Sequence, residues 1–307
     1  MPTFRRPVGA LLAATLLLAL AACGGSPTAA PSDAAIAPGA SGTVALDDRP
    51  FHLTVPADYD PDTPAPLVVG LHGYTSSGSE LGSYFGLDAL ADQRGYLLAL
   101  PDGAVDGSGN PFWNATTACC DFADTGVDDS GYLADLITTV ESQYAVDPAR
   151  VYVVGHSNGG FMALRMACEH ADLVTAVVSV AGEMTDDPSS CAPSAPVSVL
   201  QVQGDADETI AYGGGDNGPG RTYPGAERTV GDWRDLDGCA ATPQAGDPLD
   251  LEATIDGAET TTQTWSSCQD GAEVALWTIV GGRHVPTWSP DFAPTVLDWL
   301  LAHPRAA

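Results

Sequence analysis

The stretch Val151-Tyr152-Val153-Val154-Gly155-His156-Ser157-Asn158-Gly159-Gly160 carries the most chemistry in the sequence. An apolar run, a serine flanked by glycines two residues to either side, and then an apolar helical stretch describe a sharp strand-to-helix turn. Such a turn presents the serine hydroxyl, and a Cβ at either glycine would collide with neighbouring backbone. A serine hydroxyl is a weak nucleophile until a base takes its proton. Among the six histidines, His284 is the candidate base. It lies in Gly281-Gly282-Arg283-His284, just after the apolar run Val274 to Val280, and so at the same end of a strand as Ser157. His52, His170 and His303 read as packed or exposed, His72 as structural, and the turn aims His156 away from Ser157. A charged imidazole needs a carboxylate to hold its tautomer. The run Val197 to Val202 leads into Asp205, Asp207 and Glu208, three acids that composition alone does not rank. An oxyanion formed at Ser157 would need preorganised N–H donors. The candidates are the amide of Asn158 and that of Tyr74, the latter in Leu71-His72-Gly73-Tyr74 after an earlier apolar run.

These side chains need elements to hold them at one edge. Phe51 to Val55 alternates like a strand; Leu67 to Leu71, Tyr96 to Leu100, Val151 to Val154, Ala176 to Val180, Val197 to Val202 and Val274 to Val280 read as buried strands. Between them, residues 128–144, 161–170, 226–236 and 294–302 have helical character. Residues 107–124 form a long loop carrying Trp113 and Cys119-Cys120. Strands alternating with helices predict an α/β fold with a mostly parallel sheet, and ligands of such sheets bind beyond the carboxyl ends of the strands.

The chain has 307 residues, 44% hydrophobic and 17% charged, with 11 basic residues, all Arg, against 40 acidic ones and a net charge of −29. Such acidity excludes nucleic-acid binding, which needs a basic face, and adhesion to anionic lipid by charge. At the N-terminus, Arg5-Arg6, the apolar stretch Val8 to Leu20, and Leu20-Ala21-Ala22-Cys23 resemble a bacterial lipoprotein signal. The expected organisation is a signal peptide over 1–22, a flexible Ala/Pro/Gly/Ser-rich tether over 23–42 lipidated at Cys23, and one catalytic domain over 43–307. The membrane is then met only through the lipid anchor, and the location is extracytoplasmic. Six further cysteines (Cys119, Cys120, Cys168, Cys191, Cys239 and Cys268) fit up to three disulfides outside the cytoplasm. No Cys-x2-Cys pair favours zinc, and no metal or cofactor is expected.

With these segments in hand, the chain resembles the secreted polyhydroxybutyrate depolymerase and feruloyl esterase family of α/β-hydrolases. The resemblance rests on Pro66 to Tyr74, Phe112-Trp113-Asn114 with Cys119-Cys120, Gly126 to Asp129, and Asp147 to Gly160. It continues through the loop of three acids, Trp233 to Cys239, and Gly281 to His284. It implies an α/β-hydrolase fold with helices on both faces of the sheet. Ser157 would be nucleophile, His284 base and Asp207 acid. It also places Trp113 and the cysteine pair near a substrate cleft and pairs Cys239 with Cys268, leaving the partners of Cys119, Cys120, Cys168 and Cys191 open. Two departures stand out. Gln203-Gly204 replaces the family's His-Gly, and the tryptophan after the base is displaced to Trp288. Trp113 and Trp288 are candidates for lining an acyl pocket. The implied activity is hydrolysis of hydroxycinnamoyl (feruloyl) esters or 3-hydroxyalkanoate (poly)esters by a monomeric serine esterase. The alternatives are an acyltransferase using the same triad and a non-catalytic surface lipoprotein.

Overall fold

Apolar runs of the sequence become the centre of one sheet. In the computed structural model, which describes residues 1–3 and 35–306, the first strands are β1 (Ser41–Val44), β2 (Phe51–Thr54), β3 (Ala65–Leu71) and β4 (Leu97–Leu100). Two short strands, β5 (Ala104–Val105) and β6 (Pro111–Phe112), form a separate hairpin. Then come β7 (Val146–His156), β8 (Ala176–Val180) and β9 (Ser198–Gly204). A second small hairpin, β10 (Gly215–Asp216) with β11 (Thr222–Tyr223), precedes β12 (Gln244–Ala245), β13 (Thr260–Trp265) and β14 (Val274–Ile279). The main sheet has ten strands in the order β1-β2-β4-β3-β7-β8-β9-β14-β13-β12. The six from β4 to β14 are mutually parallel, and antiparallel strands close both edges.

Period-two alternation explains why the central strands read as continuous apolar runs: each feeds two cores. Leu67, Val69, Val151, Val153, Val177, Val199 and Leu276 face one core, with helices α3 (Asp129–Gln143), α4 (Asn158–Glu169) and α5 (Ala226–Leu236). Val68, Tyr152, Val154, Val178, Leu200 and Ala275 face the other, with α1 (Gly78–Phe85), α2 (Leu87–Arg94) and α6 (Phe292–Leu301). The fold is thus an α/β sheet with helices on both faces, as expected.

Five elements of the main body were not among those expected from the sequence. The α1 helix is set by its ends, with Ser77 capping the Glu80 amide and Gly86 in the left-handed region at φ 67°. The next helix, α2, buries only Leu87 and Ala91. The strand β13, Thr-Thr-Thr-Gln-Thr-Trp, next to the edge, is polar on its outer face, and β1 and the edge strand β12 are short.

Residues 4–34 lie outside the described residues, and with them the signal peptide and Cys23. Of the stretch assigned to the tether, Ile36 already packs against the core and its amide donates to the Tyr144 hydroxyl at 2.6 Å. Ser41 and Gly42 belong to β1. Among the described residues, no helix is long and apolar enough to cross a membrane. The six cysteines form three disulfides: Cys119–Cys120, Cys168–Cys191 and Cys239–Cys268. The last is the pairing implied by the resemblance; the other two answer the question the sequence left open.

Candidate active site

The turn between β7 and α4 leaves Ser157 at φ 54°, ψ −119°. A non-glycine residue there stores backbone strain of about 1–3 kcal/mol and persists only where surrounding contacts impose it. They are dense here. A Cβ on Gly155 would overlap the Gly159 carbonyl, and one on Gly159 would overlap the Leu71 carbonyl. The Ser157 amide donates to the Val180 carbonyl at 2.7 Å, and its carbonyl accepts from the Phe161 amide at 3.0 Å.

His284 and Asp207 arrive from the loops after β14 and β9, adjacent parallel strands. Ser157 Oγ lies 2.9 Å from His284 Nε2, and His284 Nδ1 lies 2.8 Å from Asp207 Oδ2. Asp207 is the acid that reaches the imidazole; Glu208 is exposed, and Asp205 instead accepts from the Gly281 amide at 2.6 Å, tying the two loops together. The Asp207 side chain is wholly shielded, whereas His284 keeps 15% exposure, so the imidazole alone links a buried carboxylate to an accessible hydroxyl. Asp207 Oδ1 accepts from the Thr209 and Ile210 amides at 2.8 and 2.9 Å, and Oδ2 also accepts from Gln203 Nε2 at 3.1 Å.

The other histidines stand apart from the hydroxyl. His52 is exposed, His170 meets Ser130 at 2.9 Å and His303 packs on Trp299. His156 turns under the site, where its Nε2 donates to the His284 carbonyl at 2.9 Å. Burial holds its pKa down to about 4, so it is a neutral strut across the neutral pH range. His72 is buried as well, which lowers its pKa. Its Nδ1 donates to the Gly73 carbonyl at 2.7 Å and its Nε2 accepts from the Gly103 amide at 2.9 Å.

Tyr74 sits on the loop after β3, and that loop touches the serine: a Cβ on Gly73 would lie 3.5 Å from the Ser157 Cβ. The Tyr74 and Asn158 amides have no protein acceptor among the described residues. The Tyr74 ring is fixed away from the hydroxyl, donating to Asp106 at 2.7 Å and meeting Phe122 edge-on at 5.6 Å.

Of the two tryptophans, Trp113 needs correction. Trp113 is fully buried and cannot line a pocket. Its indole donates to the His72 carbonyl at 3.0 Å, and the Asn158 side chain clamps its backbone from both sides at 2.7 and 2.8 Å. It braces the Tyr74 loop against the serine turn. Trp288, half-buried, stacks on Phe292 with ring centroids 3.6 Å apart and lies beside Tyr84. Unforeseen partners include Arg49, whose guanidinium meets the buried Asp129 at 2.6 Å; sequence distance hid that pair.

The family model described as "Putative esterase" matches residues 44–211. Feruloyl esterase B of Piromyces equi is 29% identical over 77% of this chain and 42% of its own length. Poly(3-hydroxybutyrate) depolymerase of Ralstonia pickettii is 34% identical over 38% of this chain and 25% of its own length. The chain thus spans less than half the length of these two relatives. Among solved structures, an acetyl xylan esterase from Aspergillus awamori superposes with a TM-score of 0.58 at 19% identity, covering 85% of this chain and 99% of that one. The fold is that of the α/β-hydrolases.

Proposed function

The chain belongs to the esterase family described above, and from that premise we propose that it is a serine carboxylic-ester hydrolase acting through Ser157, His284 and Asp207. The observation that carries the reading is the unbroken relay of hydrogen bonds from Ser157 Oγ through His284 to Asp207, at 2.9 and 2.8 Å, on a strained turn. In this reading His284 Nε2 takes the Ser157 proton as Oγ attacks the ester carbonyl. The buried Asp207 carboxylate stabilises the imidazolium, and the Tyr74 and Asn158 amides meet the oxyanion. His284 then protonates the departing alcohol, leaving an acyl-serine. Water enters, gives a proton to His284, and releases the acid.

The substrate class we propose is a hydroxycinnamoyl ester or a 3-hydroxyalkanoate (poly)ester, in keeping with the names of the two relatives. We further propose that the protein works outside the cytoplasm, anchored through a lipid on Cys23; three disulfides among the described cysteines support an oxidising compartment.

The test is acid release from methyl ferulate and from 3-hydroxybutyrate oligomers, side by side. Ser157→Ala is expected to lower turnover by about 10⁴-fold or more and to abolish covalent labelling by a fluorophosphonate. Labelling that survives in Ser157→Ala overturns the assignment of the nucleophile.

A further inference from the structure

Polar contacts continue beyond Asp207 into the core. Gln203, Gln201 and Glu183 are all buried. The two glutamines, two apart on β9, share one face of the strand. Gln203 Nε2 spends both hydrogens, on Asp207 Oδ2 at 3.1 Å and on the Ile210 carbonyl at 2.8 Å. Its Oε1 lies 3.4 Å from Gln201 Nε2, which also donates to the Gly182 carbonyl at 2.8 Å and stands 3.5 Å from Glu183 Oε1. Glu183 Oε2 accepts from the Thr229 hydroxyl of α5 at 2.6 Å. Two amides and a carboxyl between packed strands and helices are costly compared with apolar side chains of the same size. Sheet packing alone gives no reason to keep them.

Asp207 supplies one. Its Oδ1 is held by two backbone amides, whereas Oδ2 has only side-chain donors, His284 Nδ1 and Gln203 Nε2. We propose that Gln203, braced by Gln201 and Glu183, is a positioning residue that sets the plane of the Asp207 carboxylate so that Oδ2 meets His284. This rests on the ester-hydrolase reading above. The bond to the Ile210 carbonyl adds a second effect, pinning the acid-bearing loop to the strand it leaves. Glu183 ends the chain of contacts, accepting from the Thr229 hydroxyl of α5. Its burial pushes its pKa well above the usual carboxylate range, against the pull of the Thr229 hydroxyl, and the Asp207 charge adds to the push. The buried Gln201 Oε1 has no partner among the described residues.

The experiment uses the full chain with Gln203→Met, similar in length but without a donor, and Gln203→His, which restores one. Active sites are counted by fluorophosphonate titration, so misfolded protein does not enter the rates. Gln203→Met is expected to lower kcat by about 10- to 100-fold with KM within about threefold, and Gln203→His to recover most of the loss. The downfield proton resonance of His284 Nδ1–H, which reports its bond to Asp207, should weaken or move upfield in Gln203→Met and return in Gln203→His. An unchanged resonance and kcat in Gln203→Met overturn the proposal. So does a loss confined to the number of titratable sites, which marks a purely structural role. If the wild type hydrolyses no ester, the esterase reading fails, yet the resonance still decides whether Gln203 orients Asp207.

Discussion

Strain and contact at Ser157 oppose one another in a way that can be measured. The residue is held at φ 54° by its neighbours. Glycine has no Cβ to penalise it there. Ser157→Gly and Ser157→Ala both remove the hydroxyl, but only the glycine variant relieves the backbone. We expect Ser157→Gly to exceed Ser157→Ala in unfolding free energy by about 1 kcal/mol in urea titrations. At this scale the sequence was most legible. Ser157, His284 and two candidate amides could be named because glycine spacing and strand ends constrain where such groups can stand. Asp207 could not be separated from Asp205 and Glu208 by spacing. The choice depends on which carboxylate turns inward, and the inward one meets the Thr209 and Ile210 amides while Asp205 is drawn off to Gly281. Trp113 was misread for a related reason. An aromatic ring in a loop looks available until the loop is seen folded beneath the serine turn.

At the scale of elements, α5 ends on Asp237, a buried carboxylate next to the Cys239–Cys268 disulfide. Its Oδ1 meets only the Val197 amide, at 3.4 Å, and Oδ2 has no partner among the described residues. Burial raises its pKa to about 7, against that one amide. The sign follows. In the pH range between the ordinary carboxylate value and about 7, the folded chain keeps a proton that the unfolded chain gives up. Stability therefore falls as pH rises through that window and levels off above it. Asp237→Asn removes the ionisable group, so its stability relative to the wild type should grow by a few kcal/mol between pH 5 and pH 8. Paired urea titrations at the two values check this; a constant difference between the proteins refutes it. The helices and strands themselves were legible where apolar periodicity was strong, as in β3, β8 and α5. Among the exceptions, α2 is held by glycine turns at both ends and by docking onto the sheet rather than by an apolar stripe, whereas the short α1 adds caps to a stripe of Leu81 and Phe85.

For the whole molecule, charge is the dominant feature. Forty acidic residues face 11 basic ones, and the pairs on the surface, such as Arg94–Asp298 and Arg228–Asp186, neutralise only a small part of the excess. Self-repulsion of this kind is long-ranged and is screened by salt, with a Debye length of about 10 Å at 0.1 M and 3 Å at 1 M. The melting temperature should accordingly rise by several degrees between 0.05 and 1 M NaCl at neutral pH, followed by calorimetry. A melting temperature that is flat or falling with salt would show that local pairing outweighs the net field.

The sequence by itself determined the α/β alternation, the edge of the sheet at which chemistry could occur, and the serine and histidine placed there. All of these follow from short-range periodicity and turn sterics, which a linear chain displays directly. Residue spacing did not rank the three acids; the family resemblance pointed to Asp207, and tertiary structure turns it inward, pairs the four remaining cysteines and makes Trp113 a brace. Tertiary structure also decided that Gln203, Gln201 and Glu183 stand in line behind Asp207. Each of these depends on contacts between segments far apart in the chain, where burial and hydrogen-bond geometry, not residue type, select the partner.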